Sequence, residues 1–298
     1  MGAFRIAALA SLAVLLLSTS DALAFRIIAT SSGAAGIAQA PCCATGFDGG
    51  FDLATTAFES TMDGPVINIV TADGSRDFFI PHVAPGEFAH LDFSGAAHAS
   101  FLDIGSRVTV DVTNWDSNFT GGSLEAFASA RLEQVFTPLT SEDLYMRPVF
   151  SIDGSVSHAA GLTTTLRFIM NTAATGDVTL FLRDGGIAGT TEVISEMLIG
   201  PDLAVLGGGS VFMSLNLSTQ VSGVPNDIPA GDHFGEADAF NTLTLVGFQT
   251  FSDPGYSVPI NVDYMSDSGE VVSTVPEPGT ALLMGLGLAA LGILARRR

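Results

Sequence analysis

An all-β fold, an antiparallel β-sandwich of jelly-roll type followed by a single C-terminal transmembrane helix, is predicted by three observations. Apolar residues recur with a period of two in segment after segment, Gly-containing turn signals fall between those segments, and the long apolar runs lie at the two chain ends. Many short strands with Gly-rich turns favour a sandwich over a closed barrel. No repeat of fixed period is visible, which argues against a solenoid or propeller.

Taken in order, the first strand falls over 66–70. In Arg107-Val108-Thr109-Val110-Asp111-Val112 the three Val share one face and Arg107, Thr109 and Asp111 the other. Further strands are expected over 124–136 and 162–170. Over 177–183 the face is Val178, Leu180 and Leu182; over 211–217 it is Val211, Met213, Leu215 and Leu217. Two more follow over 243–248 and over 257–264, the latter with Val258, Ile260, Val262 and Tyr264 on one face. The segment 190–198, with Ile194 and Leu198 four apart, reads as one short helix or another strand. Turns are expected at Asp63-Gly64, Asp73-Gly74, Asp153-Gly154, Asp184-Gly185-Gly186, Gly207-Gly208-Gly209 and Pro254-Gly255.

These elements place the sandwich body over 51–264. Before it, residues 25–50 read as a flexible arm, because the stretch from Ala29 to Gly50 is rich in Ala, Ser and Gly. After it, 265–274 is polar and contains Gly269, the composition of a spacer. The N-terminal 24 residues have the form of a secretory signal: Arg5, an apolar core over 6–17, and the small-x-small pattern Ala22-Leu23-Ala24 before Phe25.

At the other end, Val275-Pro276-Glu277-Pro278 precedes an uncharged run over 280–295 and the terminal Arg296, Arg297 and Arg298. Sixteen residues at about 1.5 Å rise make a helix of roughly 24 Å, short for a stable span, and the Arg cluster serves as a stop held on the cytoplasmic side. Pro276 and Pro278 hold the peptide in front of the helix extended. Together these parts resemble the PEP-CTERM sorting signal, over 24 of 298 residues. The resemblance implies an inner-membrane precursor processed by an exosortase, a membrane-embedded cysteine transpeptidase-like enzyme. It implies an address and no activity.

The remainder is acidic. Between residues 25 and 274 there are 29 Asp and Glu against seven Arg, a formal charge of −22, and Lys is absent from the chain. Such a surface repels polyanions, which excludes nucleic acid and anionic lipid headgroups as partners.

Candidate chemistry is sparse. Cys42 and Cys43 are adjacent and are the only cysteines; in an oxidising exterior they would form a vicinal disulfide or pair between chains. His82, His90 and His98 recur at intervals of eight, but Pro81, Pro85 and Gly95 argue against one strand carrying all three, and no transition-metal ligand set emerges. The densest acidic loop offers Asp227, Asp232, Glu236 and Asp238 as candidate calcium ligands, without EF-hand spacing, and the sequence points to no other cofactor. Trp115, in Asn114-Trp115-Asp116-Ser117-Asn118, is the candidate ligand-stacking aromatic, or else a cap over the sandwich edge. No Gly-x-Ser-x-Gly elbow, His-Glu-x-x-His motif or phosphate-binding Gly loop with Lys is present. The expectation is therefore a non-enzymatic protein of the cell surface or matrix, associated with exopolysaccharide or biofilm. The alternative is a secreted carbohydrate-binding module or glycoside-active enzyme with the same tail.

Overall fold

The computed structural model describes residues 25–39, 47–61, 68–79, 88–100, 102–115, 119–185, 188–224 and 227–275. The segments carrying the predicted signal peptide, Cys42 and Cys43, the Asp63-Gly64 turn, His82, the motif Pro276-Glu277-Pro278 and the predicted helix over 280–295 lie outside them. Among the described residues no helix is long and apolar enough to cross a membrane.

Among the described residues fifteen strands form two antiparallel sheets. The eight-stranded sheet contains β1 (Phe25–Gln39), β2 (Phe47–Thr61), β6 (Phe119–Pro138), β8 (Leu162–Thr172), β9 (Gly176–Asp184), β12 (Val211–Gly223), β14 (Tyr264–Ser266) and β15 (Val271–Val272). The seven-stranded sheet contains β3 (Asn68–Phe79), β4 (Phe88–Ala99), β5 (Asp103–Trp115), β7 (Leu144–His158), β10 (Thr191–Ile199), β11 (Leu203–Val205) and β13 (Gly231–Phe251). From β5 onward the chain repeatedly crosses from one sheet to the other, so neither sheet forms without its partner.

The long strands β6 and β13 organise the two layers. One side of β6 is taken by β12; the other is shared by β1, along 119–133, and β14, along 136–138. β13 pairs with β5 on one side and β7 on the other, with register shifts near Gly231, between Asp238 and Leu243, and before Gly247. Period-two alternation turns one face of each strand inward, as β8 shows with Leu162, Thr164, Leu166, Phe168 and Met170 all buried. Across the layers, Phe150 of β7 meets Phe168 of β8 edge-on at 5.0 Å, and Phe136 of β6 meets Phe248 of β13 at 5.2 Å. At the side of the sandwich Arg183 of β9 bridges to Glu192 and Glu196 of β10, at 3.0 and 2.6 Å, which ties the edge of one sheet to the edge of the other.

Several sequence expectations change. The arm expected over 25–50 contains all of β1 and the start of β2, because β1 lies between β2 and β6 and its peptide groups pair on both sides. A backbone ladder of this kind needs no apolar stripe to form. Asp73-Gly74 and Asp153-Gly154 are interior to β3 and β7 rather than turns. A Cβ on Gly154 would fall 2.4 Å from the Asp238 carbonyl oxygen, so that glycine permits close approach of β13 beside its bulge. Segment 190–198 is a strand, since residues four apart share a face in a strand as well as in a helix.

Residues 257–263 do not form the expected strand. The Asp253 carboxylate collects the N–H groups of Gly255, Ser257 and Val258 and the Ser257 hydroxyl, at 2.7 to 3.1 Å, and folds 253–258 into a loop. Only Pro259 bridges to Phe251, and of the predicted face Tyr264 is fully buried while Val258 is exposed. The spacer expected over 265–274 is likewise structured: β14 and β15 form a hairpin about Gly269 at φ 89°, laid on the end of β6.

Two outcomes follow from this packing. Phe168→Ala removes an aromatic that joins the sheets and should lower unfolding free energy by about 3–5 kcal/mol in denaturant titration. The hydrogen bond from the Ser257 hydroxyl, followed by that from the Val258 N–H, holds the Asp253 carboxyl below its ordinary range. Its contribution is therefore present above the ordinary Asp pKa and is lost as pH falls through the depressed value. Asp253→Asn should lower the thermal midpoint near neutral pH, with the gap to the parent protein closing in acid.

Candidate functional site

The residues singled out in the sequence do not assemble into one site. Trp115, at the end of β5, is 2% exposed and belongs to the core, so it offers no ring to a ligand; alternation carries it inward with Val108, Val110 and Val112 across a break in phase at Asn114, φ 55°. Of the acidic group, Asp227 stands in a turn before β13, its N–H bonded to the Val224 carbonyl. Asp232, Glu236 and Asp238 share the face of β13 turned away from the core, where side chains two apart are separated by about 6.8 Å and those four apart by about 13 Å. An extended strand cannot wrap them round one ion. Asp232 Oδ1 accepts the Asn114 N–H at 2.8 Å and Asp238 Oδ1 accepts the Phe240 N–H at 2.9 Å. Partial burial, reinforced by Asp238 and opposed by Arg107, holds the Glu236 carboxyl above its ordinary range.

His90 and His98 do share a strand, β4, contrary to the break expected at Gly95, but eight residues of strand hold them about 26 Å apart. His90 pairs with Asp92 at 3.1 Å; His98 is buried against the Phe240 ring at 4.6 Å, with Asp103 at 3.5 Å. Among the described residues no three His, Cys, Asp or Glu side chains lie together as metal ligands.

A different surface brings polar chemistry together. On the outer face of the eight-stranded sheet the register aligns Phe127, Gln220, Thr165 and Asp184 in one row across β6, β12, β8 and β9. The next row is Ser129, Ser218, Arg167 and Leu182, and the next Arg131, Asn216, Ile169 and Thr179. A groove of about 510 Å³ lies over the first two rows, with Phe127 at the β6 side and Leu182 at the β9 side. Three strand spacings of about 4.8 Å make it about 14 Å wide.

The floor presents amide, guanidinium, hydroxyl and carboxylate groups side by side. Thr165 Oγ1 donates to Asp184 Oδ1 at 3.1 Å, Arg167 Nη2 to Thr179 Oγ1 at 3.3 Å, and Gln220 Nε2 to Glu125 Oε1 at 2.9 Å. Each bond orients a side chain while leaving it further donors or acceptors; the Thr179 bond uses one of five Arg167 N–H groups. Outward polar residues were visible in the alternation of these strands. Their assembly in rows was not, because it depends on the order β6-β12-β8-β9. A second concavity, of about 430 Å³, lies beside the exposed Phe234 and is bordered by Ser157, His158, Asp232 and Glu236.

The junction with the tail is part of the body. Val275 N–H donates to the Phe248 carbonyl at 2.8 Å, and Thr274 Oγ1 donates to the Val262 carbonyl at 2.6 Å while accepting the Val262 N–H at 2.8 Å.

Residues 274–298 match the PEP-CTERM protein-sorting motif. No curated protein matches the chain. Among solved structures, carbohydrate-binding modules from the β-sandwich superfamily, described as promiscuous in specificity, align at 12% identity over 64% of this chain and 68% of theirs, with a TM-score of 0.20. The structure of infectious bursal disease virus, Gx strain, aligns at 10% identity over 93% and 75%, with a TM-score of 0.15. Scores this low carry no functional conclusion.

Proposed function

From the premise that the sorting motif marks an exported protein, anchored in the membrane until an exosortase cleaves it, we propose that the sandwich is a non-enzymatic surface or matrix protein that holds exopolysaccharide. The observation that carries the reading is the groove over β6, β12, β8 and β9. A polyhydroxylated chain needs many modest donors and acceptors in a plane and an apolar surface for its ring faces. Gln220, Arg167, Thr165, Ser218 and Asp184 supply the first, and Phe127 and Leu182 the second.

The glycoside-active alternative is less well supported by the carboxylates. Among the described residues lining the groove only Asp184 carries one, and Glu125, bonded to Gln220, stands three strands away on β6. Beside Phe234, Asp232 and Glu236 point the same way along one strand about 13 Å apart, beyond the roughly 5–9.5 Å over which two carboxyls act on one glycosidic bond.

The test uses the chain from 25 to 275, mixed with exopolysaccharide from the source cells, with both co-sedimentation and polymer length recorded. Binding without shortening is expected. Arg167→Ala and Gln220→Ala should each weaken it about tenfold, the worth of one or two lost hydrogen bonds, without changing the thermal midpoint appreciably. Shortening of the polymer would make the protein an enzyme, and undiminished binding by both variants would remove the groove from the account.

A further inference from the structure

We propose that residues 271–275 form a latch that keeps the first two residues of the sorting signal folded against the body, so that exosortase processing waits on its release. The inference rests on the sorting motif and is independent of glycan binding. Val272 is buried, Thr274 bridges in parallel to Phe248, and both hydrogen-bonding directions of the Thr274 hydroxyl are used by Val262. The seat is cut for this strap. A Cβ on Gly247, where φ is 155°, would fall 2.4 Å from the Ser273 carbonyl oxygen and 2.6 Å from Val275 Cγ2.

The matched motif begins at residue 274, so its first two residues belong to the folded body as well as to the signal. A peptide-processing enzyme holds an extended substrate by its main-chain N–H and C=O groups. Pro276 and Pro278 have no N–H to offer. The nearest donor upstream of them is the Val275 N–H, and it is already bonded to Phe248. Slack is lacking too: from Val275 to Thr280, where the uncharged run begins, five residues reach at most about 18 Å. A membrane enzyme cannot engage residues on both sides of the motif without peeling the strap, and local opening sets how often that occurs.

The experiment follows processing of the full-length chain in the source cells by pulse-chase. Thr274→Val keeps the side-chain shape and removes both hydroxyl hydrogen bonds, so processing should quicken about five- to tenfold. Six Gly and Ser residues inserted between Val275 and Pro276 leave every body residue intact and give the motif its own tether; that chain should be processed faster than the parent and should no longer respond to Thr274→Val. Processing of either single variant at the parental rate would overturn the latch. The Pro276→Ala, Pro278→Ala chain separates the two claims: it should accumulate unprocessed, and normal processing of it would defeat the sorting reading itself and the latch with it.

Discussion

The aromatic cluster where the end of β6 meets β13 across the interior is the constraint on which the C-terminal part of the body depends. Phe136 of β6 meets Phe248 of β13, and Tyr264 closes on Phe248 at 4.5 Å. Burying a phenol leaves its hydroxyl in need of a partner, and Thr250 Oγ1 at 2.9 Å supplies it. Burial outweighs that hydrogen bond in setting the phenol's pKa, which is pushed up to about 12. The same cluster anchors the chain as it leaves β13. With Tyr264 fixed, β14 is placed on the end of β6, and the strap that follows is brought back beside Phe248 and Gly247.

That arrangement joins two requirements that pull apart. An exported body needs a stable core, whereas a sorting signal must be handed to an enzyme as free peptide. Here the last residues of one are the first of the other. Gly247 and Thr274 stand at the boundary, one through the room left by its missing Cβ and the other through its hydroxyl. The groove lies on the outer face of the eight-stranded sheet, away from this junction. Its residues alternate with the core residues of β6, β12 and β8, so packing of one face holds the other in register.

Much of the strand content was legible because a half-buried strand writes its environment into every second residue. Val108, Val110 and Val112 went inward as their spacing requires, and Leu215 and Leu217 did the same. The failures have a common cause, which is that they depended on backbone partners. β1 pairs through its peptide groups on both sides, and a ladder of that kind leaves no period-two signal in a stretch of Ala, Ser and Gly, which therefore reads as an arm. Residues 257–263 alternate correctly, yet Asp253 takes up two of the N–H groups at the start of that stretch. Gly154 resembled a turn because close backbone approach and turning both call for glycine.

The class of fold, the acidic composition and the sorting tail were all legible along the chain, since periodicity, charge and a contiguous motif are properties of neighbouring residues. Strand pairing and packing made Trp115 core, spread Asp232, Glu236 and Asp238 along one strand, and brought Phe127, Gln220, Arg167 and Asp184 onto one surface. Those outcomes depend on which strands lie side by side. On that surface bonding joins residues 95 positions apart, Glu125 and Gln220, and no local pattern carries that information.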